Sequence, residues 1–387
     1  MPLHATNHIR RYNVNIGCDP ELFLERDGKV IGSERVIPEG GLDSLDLWRP
    51  TKVVRDGIQI ELHPGPSTCR AGVGAGIKHG MMALLADLKA KNFEVSFKTV
   101  VDVPKEELEG LSENSRVLGC LPSKNHYDSA AKLEVGRDFT KRSAGGHIHL
   151  GFTGYDQNDP CKCLLDNRER LVPILDAIVG NTCVMIDRDP YAASRRQEYG
   201  RAGEFRTPSY GLEYRTPSNF WLRSYQLASL VWGLSKIATC ILYTTVYNGA
   251  TIGSWPESTH DGFKPWDAEG TLLKSLDMEA VRTAINTNDI ELAKRNYAKV
   301  REFIVNHVPD QNVGEYGRAD WILCLDTTKM EKFDFFLKKI EEKGIEFWWP
   351  DDPFKHWCTL SEGHGIGWEN FLATKVTQQM AVEGKNG

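Results

Sequence analysis

The segment GGHIHLG (145–151) sets two histidines one residue apart between glycines. On a strand, His147 and His149 share one face while Ile148 and Leu150 take the other. Imidazole is the commonest transition-metal ligand and also a good donor to phosphate, so the pair suits a metal, a phosphate or a hydrogen-bonded structural role. The segment CDPE places Asp19 and Glu21 two residues apart, both carboxylates on one side of a strand. Two like charges that close repel unless a cation lies with them, and hard divalent ions take oxygen ligands. Asp-Pro is also a turn signal. Glu61, in IQIELHP, sits among alternating apolar residues with Gln59 and His63 on its own face. An acid on such a strand either faces solvent or has a partner.

The densest signal is a repeated hexapeptide, Glu-aromatic-Arg-Thr-Pro-Ser, in GEFRTPS (203–209) and GLEYRTPS (211–218). Glu204 and Arg206 share a strand face, as do Glu213 and Arg215, and Ser-Tyr-Gly between them offers a turn. Arg195, Arg196 and Arg201 lie just upstream. A guanidinium fork suits phosphate or carboxylate oxygens, and a neighbouring carboxylate can orient it or hold a cation. A pair of cross-strand salt bridges is the simpler alternative, but such pairs are worth little at a surface. Five arginines and three glutamates, Glu198 included, fall within 21 residues, which strains that alternative. Taken together, carboxylates, histidines and arginines delivered by strands describe a place for divalent metals, a nucleotide polyphosphate and an anionic substrate. No GxxxxGK[ST], strand-borne GxGxxG, GxSxG or HExxH accompanies them. GVGAGIKHG (72–80) is glycine-rich but falls inside a predicted helix.

The elements that must carry these residues follow from periodicity. Strands are expected over 13–25, bent at Pro20, over 28–32, over 53–67, over 93–103 and over 145–152. Helices are expected from Ser67 or Thr68 to about Asn92, over 168–186 despite Pro173, from about Pro217 to Tyr247, near 289–307 and over 328–343. Residues 104–142 read as a long loop or flap. Residues 227–247 approach membrane-span length, but Lys236 at their middle favours a helix buried in a core. EFWWPDDPFKHW (346–357) and GHGIGWENF (363–371) suggest a small aromatic core, or else a lid over the site. No apolar leader is visible at the N-terminus. Nine cysteines, an odd number scattered over 387 residues, fit reduced thiols and a cytoplasmic setting better than a disulfide framework. The Cys161–Cys163 pair has no second pair at zinc spacing. A net charge of −6 gives no whole-chain attraction to nucleic acid or an anionic membrane.

The ordered set GCDPELF, IQIELHPGPS, GGHIHLGF and YGRAGEFRTPSYGLEYRTPSNFW resembles the phage phiEco32-like COOH–NH2 ligase type 2 family, of the glutamine synthetase and glutamate–cysteine ligase superfamily. The resemblance covers roughly residues 13–245. It implies an α+β fold: a glutamine synthetase-like catalytic core over 1–250, with a curved, mostly antiparallel sheet flanked by helices. A helical, Trp-rich C-terminal extension, 251–387, would pack on that core. It implies ATP and two or more Mg²⁺ or Mn²⁺ ions, with Asp19, Glu21, Glu61, His147 and Glu213 as metal ligands. His149, Arg195, Arg201, Arg206 and Arg215 would contact the nucleotide or its phosphates, and Glu213, Arg215 and Arg206 would carry catalysis. The duplication leaves open whether Glu204/Arg206 or Glu213/Arg215 fills the ExR role. The long helix after the second pair favours that one. The activity implied is amide formation through an acyl phosphate, in a phage-encoded enzyme of the host cytoplasm acting on small-molecule or peptide acids and amines. A phosphotransferase on the same fold, a hydrolase using metal-activated water, and a non-catalytic phage protein that retains the fold are the alternatives. Neither substrate identity nor oligomeric state is readable.

Overall fold

The computed structural model describes residues 14–44, 51–67, 70–116, 123–128, 140–152, 161–187, 189–246, 266–307 and 350–359. Within these the protein is a mixed α+β structure whose strand pairs are all antiparallel. The strands in chain order are β1 (Asn15–Cys18), β2 (Glu21–Arg26), β3 (Lys29–Ile31), β4 (Leu42–Asp43), β5 (Thr51–Asp56), β6 (Gln59–Pro64), β7 (Glu94–Ser96), β8 (Val100–Asp102), β9 (Lys124–Asn125), β10 (Lys141–Ser143), β11 (Ile148–Gly151), β12 (Glu204–Arg206) and β13 (Gly211–Tyr214).

One sheet runs β1-β11-β13-β12-β9, and a second runs β3-β2-β6-β5-β4 with β7 also on β2. Strands β8 and β10 form a separate ribbon. Asp19 and Pro20 lie between β1 and β2 and carry the chain from the first sheet to the second. This is the bend expected at Pro20, and it places a carboxylate where the two sheets meet. The junction is tied by backbone bonds: Ile16 exchanges two with Ser67, Glu21 N–H donates to the Gly145 carbonyl, and Leu62 N–H donates to that of Pro20. Ser67 is thus a strand partner rather than the start of the following helix.

Among the described residues the helices of seven residues or more are α1 (Arg70–Lys91), α2 (Leu171–Leu175, Asp176–Gly180 and Asn181–Ile186 without a break), α3 (Ala192–Glu198), α4 (Tyr225–Val246), α5 (Ala268–Ser275), α6 (Met278–Thr287), α7 (Ile290–His307) and α8 (Pro353–Thr359). The glycines of GVGAGIKHG serve close packing of α1. A β-carbon on Gly74 would strike the Tyr225 ring, and one on Gly76 would strike Pro64. Pro173 falls in the first turn of α2, where its missing N–H is not required. The middle of α2 is a π turn that carries the fully buried Asp176, whose Oδ1 accepts from Tyr214 Oη at 2.7 Å.

Helix α4 is long and apolar enough to cross a membrane by composition, and its apolar window lies wholly inside the protein. Three of its hydroxyls are satisfied within the helix: Ser235, Thr239 and Thr244 each donate to the carbonyl four residues back.

The segment 93–103 is two strands, not one. Asn219 donates to the Lys98 carbonyl and takes the Thr99 hydroxyl, which draws residues 97–99 out of the ladder. The loop expected over 104–142 contains, where described, helices Lys105–Glu109 and Glu113–Arg116 and strands β9 and β10. The helix expected from Pro217 begins instead with a short 3₁₀ turn, Asn219–Arg223, before α4. The helix expected over 328–343 and much of the Trp-rich segment lie outside the described residues. Where that segment is described, Trp357 packs edge-on against Tyr225 and donates to the Leu222 carbonyl at 2.6 Å. That part is aromatic core. One apolar core links Val14, Trp232, Ile285 and Trp357, and a second, smaller one gathers Phe23, Ile58, Val101 and Leu108.

Candidate cation and anion site

Register aligns the site. Gly17, His149, Glu213 and Arg206 are successive cross-strand partners on β1, β11, β13 and β12. Directly paired residues point to the same face. Two residues along each strand, Asp19, His147, Arg215 and Glu204 form the next row of that face. Arg215 N–H donates to the Glu204 carbonyl, which fixes the second row. The two repeated hexapeptides are therefore neighbouring strands of one surface.

Asp19 is the centre. Its Oδ1 lies 3.1 Å from His147 Nδ1 and its Oδ2 3.0 Å from His149 Nε2. Each histidine has its other ring nitrogen on a tyrosine hydroxyl, Tyr199 for His147 and Tyr210 for His149. Glu213 Oε1 approaches His147 Nδ1 at 3.8 Å, Arg215 Nε at 3.2 Å and Arg206 Nη1 at 3.5 Å. Ligand atoms of Asp19, His149 and Glu213 all lie within 4.8 Å of one another.

Four buried atoms, Asp19 Oδ1, His147 Nδ1, His149 Nε2 and Glu213 Oε1, converge without a well-directed hydrogen bond among them. Buried polar atoms are otherwise almost always paired. Two carboxylates and imidazole nitrogen form a donor set for a divalent cation; the oxygens suit Mg²⁺ and Mn²⁺, and the imidazole favours the transition metal.

Burial disfavours the ionised carboxyl of Asp19, but His149 and His147 outweigh it and hold the group well below the usual range. Burial also opposes charge on His149, yet Asp19 and the nearby glutamates raise it. Burial lowers His147, assisted by Arg215.

A second acidic group stands behind the first. Glu21 and Glu61 are directly opposed across β2 and β6, and Asp56 pairs with Gln59 at the hairpin end of β5 and β6. Glu21 Oε2 accepts from Gly145 N–H at 2.6 Å and Gln59 Nε2 at 3.1 Å, and Glu61 meets His63 at 2.8 Å. Burial and then mutual repulsion raise Glu21, while burial and then Asp19 raise Asp56. Burial pushes Glu61 up to about 7 despite His63.

The structure brings Asp19, His147, His149, Glu213, Arg206 and Arg215 together, with Glu21 and Glu61 in electrostatic reach. It sorts the remaining arginines differently from the expectation. Arg195 is buried, and its guanidinium donates to the carbonyls of Ala144, Thr216 and Pro217. Arg201 lies back along the end of α3, donating to the carbonyls of Arg196 and Gln197. Both hold main chain in place. Glu204 accepts from Gly200 N–H, outside the convergent set, so Glu213 is the glutamate that joins Asp19 and the histidines. Both histidines face Asp19, through Nδ1 of His147 and Nε2 of His149. Asp56, Tyr199 and Tyr210 were not expected. Asp56 falls inside the single strand expected over 53–67, which is instead the β5–β6 hairpin, and the tyrosines acquire roles only through tertiary contacts.

The opening glycines are steric requirements. A β-carbon on Gly146 would overlap the Ser218 carbonyl and the Trp221 indole nitrogen, which donates to Gly146 O at 3.1 Å. Gly146→Ala is expected to cost about 1–3 kcal/mol, read as a lowered thermal midpoint; an unchanged midpoint would show that the strand has room to give.

Fold and site together define a class: an α+β protein with a sheet-borne carboxylate–imidazole cluster fit for a divalent cation, flanked by guanidinium groups. Residues 123–246 match the family described as Phage phiEco32-like COOH.NH2 ligase-type 2, the family the motifs resemble. That description supports placing the chain among ligases that join a carboxyl group to an amine. The matched span holds both histidines and both Glu-Arg pairs; Asp19 reaches them from outside it. No curated protein matches the chain.

Proposed function

We propose that the protein is an ATP-dependent carboxylate–amine ligase, phage-encoded and acting in the host cytoplasm, that activates its acid by phosphorylation. The observation that carries this reading is the convergence of four buried, undirected polar atoms from Asp19, His147, His149 and Glu213. Those residues would hold Mg²⁺ or Mn²⁺, with Glu21, Glu61 and Asp56 offering oxygens for a further ion. A bound divalent ion supplies positive charge against phosphate and carboxylate oxygens.

Carboxylate and amine do not condense in water because oxide is a poor leaving group. In the proposed reaction a carboxylate oxygen takes the γ-phosphoryl group as its bond to ADP breaks. The amine nitrogen then bonds to the acyl carbon, inorganic phosphate leaves with that oxygen, and the amine gives up a proton. Arg206, part exposed beside Glu213, faces the incoming anion. Arg215, wholly buried, pairs with Glu213 and holds it in place. Stabilising charge on a moving phosphoryl group is the main catalytic task in such transfers. Phosphate release from ATP with Mg²⁺, assayed against a panel of acids and amines, is expected to need one of each. Release that needs only the acid would favour a phosphotransferase.

The acidic group makes cation binding pH-dependent. Glu21, Asp56 and Glu61 keep protons in the folded protein that the unfolded chain gives up near its ordinary carboxyl values. For all three this stability is lost as pH rises, and for Glu61 the loss runs from about 4.5 through about 7. A cation that displaces those protons recovers it. Mn²⁺ is expected to raise the thermal midpoint more at about pH 8 than at about pH 6. An equal or smaller gain at the higher pH would contradict the placement of these acids at the cation.

A further inference from the structure

Tyr199 follows directly on α3, and its side chain is buried at the back of the site. Its ring stands between two guanidinium groups, with Arg195 at 4.9 Å and Arg215 at 5.0 Å from the ring centre. Its hydroxyl takes two donors from Arg215, Nε at 3.0 Å and Nη2 at 2.5 Å, and meets His147 Nε2. The same phenol oxygen thus touches the imidazole and the guanidinium that flank Glu213 Oε1. An imidazole can turn over about its side-chain bond and exchange its two nitrogens. What sets Nδ1 toward Asp19 and Glu213 is the partner on the opposite nitrogen, and such partners are commonly worth 10–100-fold in metal affinity.

We infer that Tyr199 is a positioning residue of the cation site: its hydroxyl fixes the ring orientation of His147 and the fork of Arg215, and so holds Nδ1 and Glu213 in their convergent arrangement. The inference rests on the proposed function for the identity of the ligand and on geometry alone for the role of the hydroxyl. The ring of Tyr199 supplies packing and both guanidinium contacts; the oxygen supplies the positioning. Tyr199→Phe separates the two, because it keeps the ring and removes only the oxygen.

The test uses the full-length chain with Mn²⁺ as probe and ¹⁵N-labelled histidine. Tyr199→Phe is expected to weaken Mn²⁺ binding about tenfold or more and to shift the ring-nitrogen resonances of His147 in the metal-free protein. An unaltered Mn²⁺ affinity, or unaltered His147 resonances, overturns the inference. A wild type that binds no Mn²⁺ overturns the proposed function, while the metal-free resonances still decide the role of Tyr199. Should the variant not fold, 3-fluorotyrosine in the wild-type sequence keeps the hydroxyl and alters its hydrogen bonding. It is expected to move the His147 Nε2 resonance, and an unmoved resonance overturns the inference.

Discussion

Asp19→Asn is expected to remove divalent-cation binding and, with it, nucleotide turnover. Asp19 presents one oxygen to each histidine, at 3.1 and 3.0 Å, and its ligand atom is one of three that converge with those of His149 and Glu213. An amide keeps the shape but turns one of those acceptors into a donor and removes the charge. The loss in Mn²⁺ affinity should reach about 10²-fold, the upper range even for groups that act one step behind a metal. Turnover should fall by about 10²–10³-fold, as when one preorganised electrostatic contact is lost. Calorimetric titration of Mn²⁺ into wild type and variant checks the first figure, and wild-type affinity in the variant would remove Asp19 from the centre of the site.

The second large effect is expected at Arg215. Its guanidinium is fully buried, lies 3.2 Å from Glu213 Oε1 and donates twice to Tyr199. Arg215→Leu fills much of the space but strands the Glu213 carboxylate beside Asp19. Removing one partner of a buried ion pair typically costs about 3–5 kcal/mol, and urea unfolding of the metal-free protein should show a loss of that size. Mn²⁺ should restore part of it, because the cation replaces the missing positive charge. Arg215→Lys should unfold less readily than the leucine variant yet still turn over poorly, since an ammonium group cannot reproduce the fork that spans Glu213 and Tyr199. A leucine variant within about 0.5 kcal/mol of wild type, the range of an ordinary surface change, would contradict a paired Glu213.

Much of this site was legible in the chain because strands have period two. That spacing alone puts His147 with His149 and each glutamate of the repeat with its arginine, whereas Asp19 and Glu21, expected on one strand face, are split by the bend between the two sheets. Antiparallel register then does the rest, and it is register that sequence cannot supply. It makes β12 and β13 adjacent, so the two hexapeptides are neighbours on one face rather than rivals for one position. Asp56 was hidden because it falls inside the one strand expected over 53–67, whereas the chain turns at Asp56-Gly57 between β5 and β6. Its charge matters because the hairpin end folds back within reach of Asp19 and Glu21.

Arg195 shows the converse error. An arginine counted as free charge becomes a structural brace once the carbonyls of Thr216 and Pro217 turn inward to meet it. The break in 93–103 depends on Asn219, more than a hundred residues away, and no local pattern reports it. The glycines of α1 look like helix breakers until the sheet and Tyr225 are seen to press against them.

The most direct test of the account is mass spectrometry of products formed from ATP and Mg²⁺ with a panel of ¹⁸O-carboxylate acids and amines. The account predicts a product of acid plus amine less water, with ADP and inorganic phosphate that carries one ¹⁸O from the acid. Phosphate without the label beside an amide would contradict activation by phosphorylation, and no nucleotide binding or consumption at all would contradict the ligase itself.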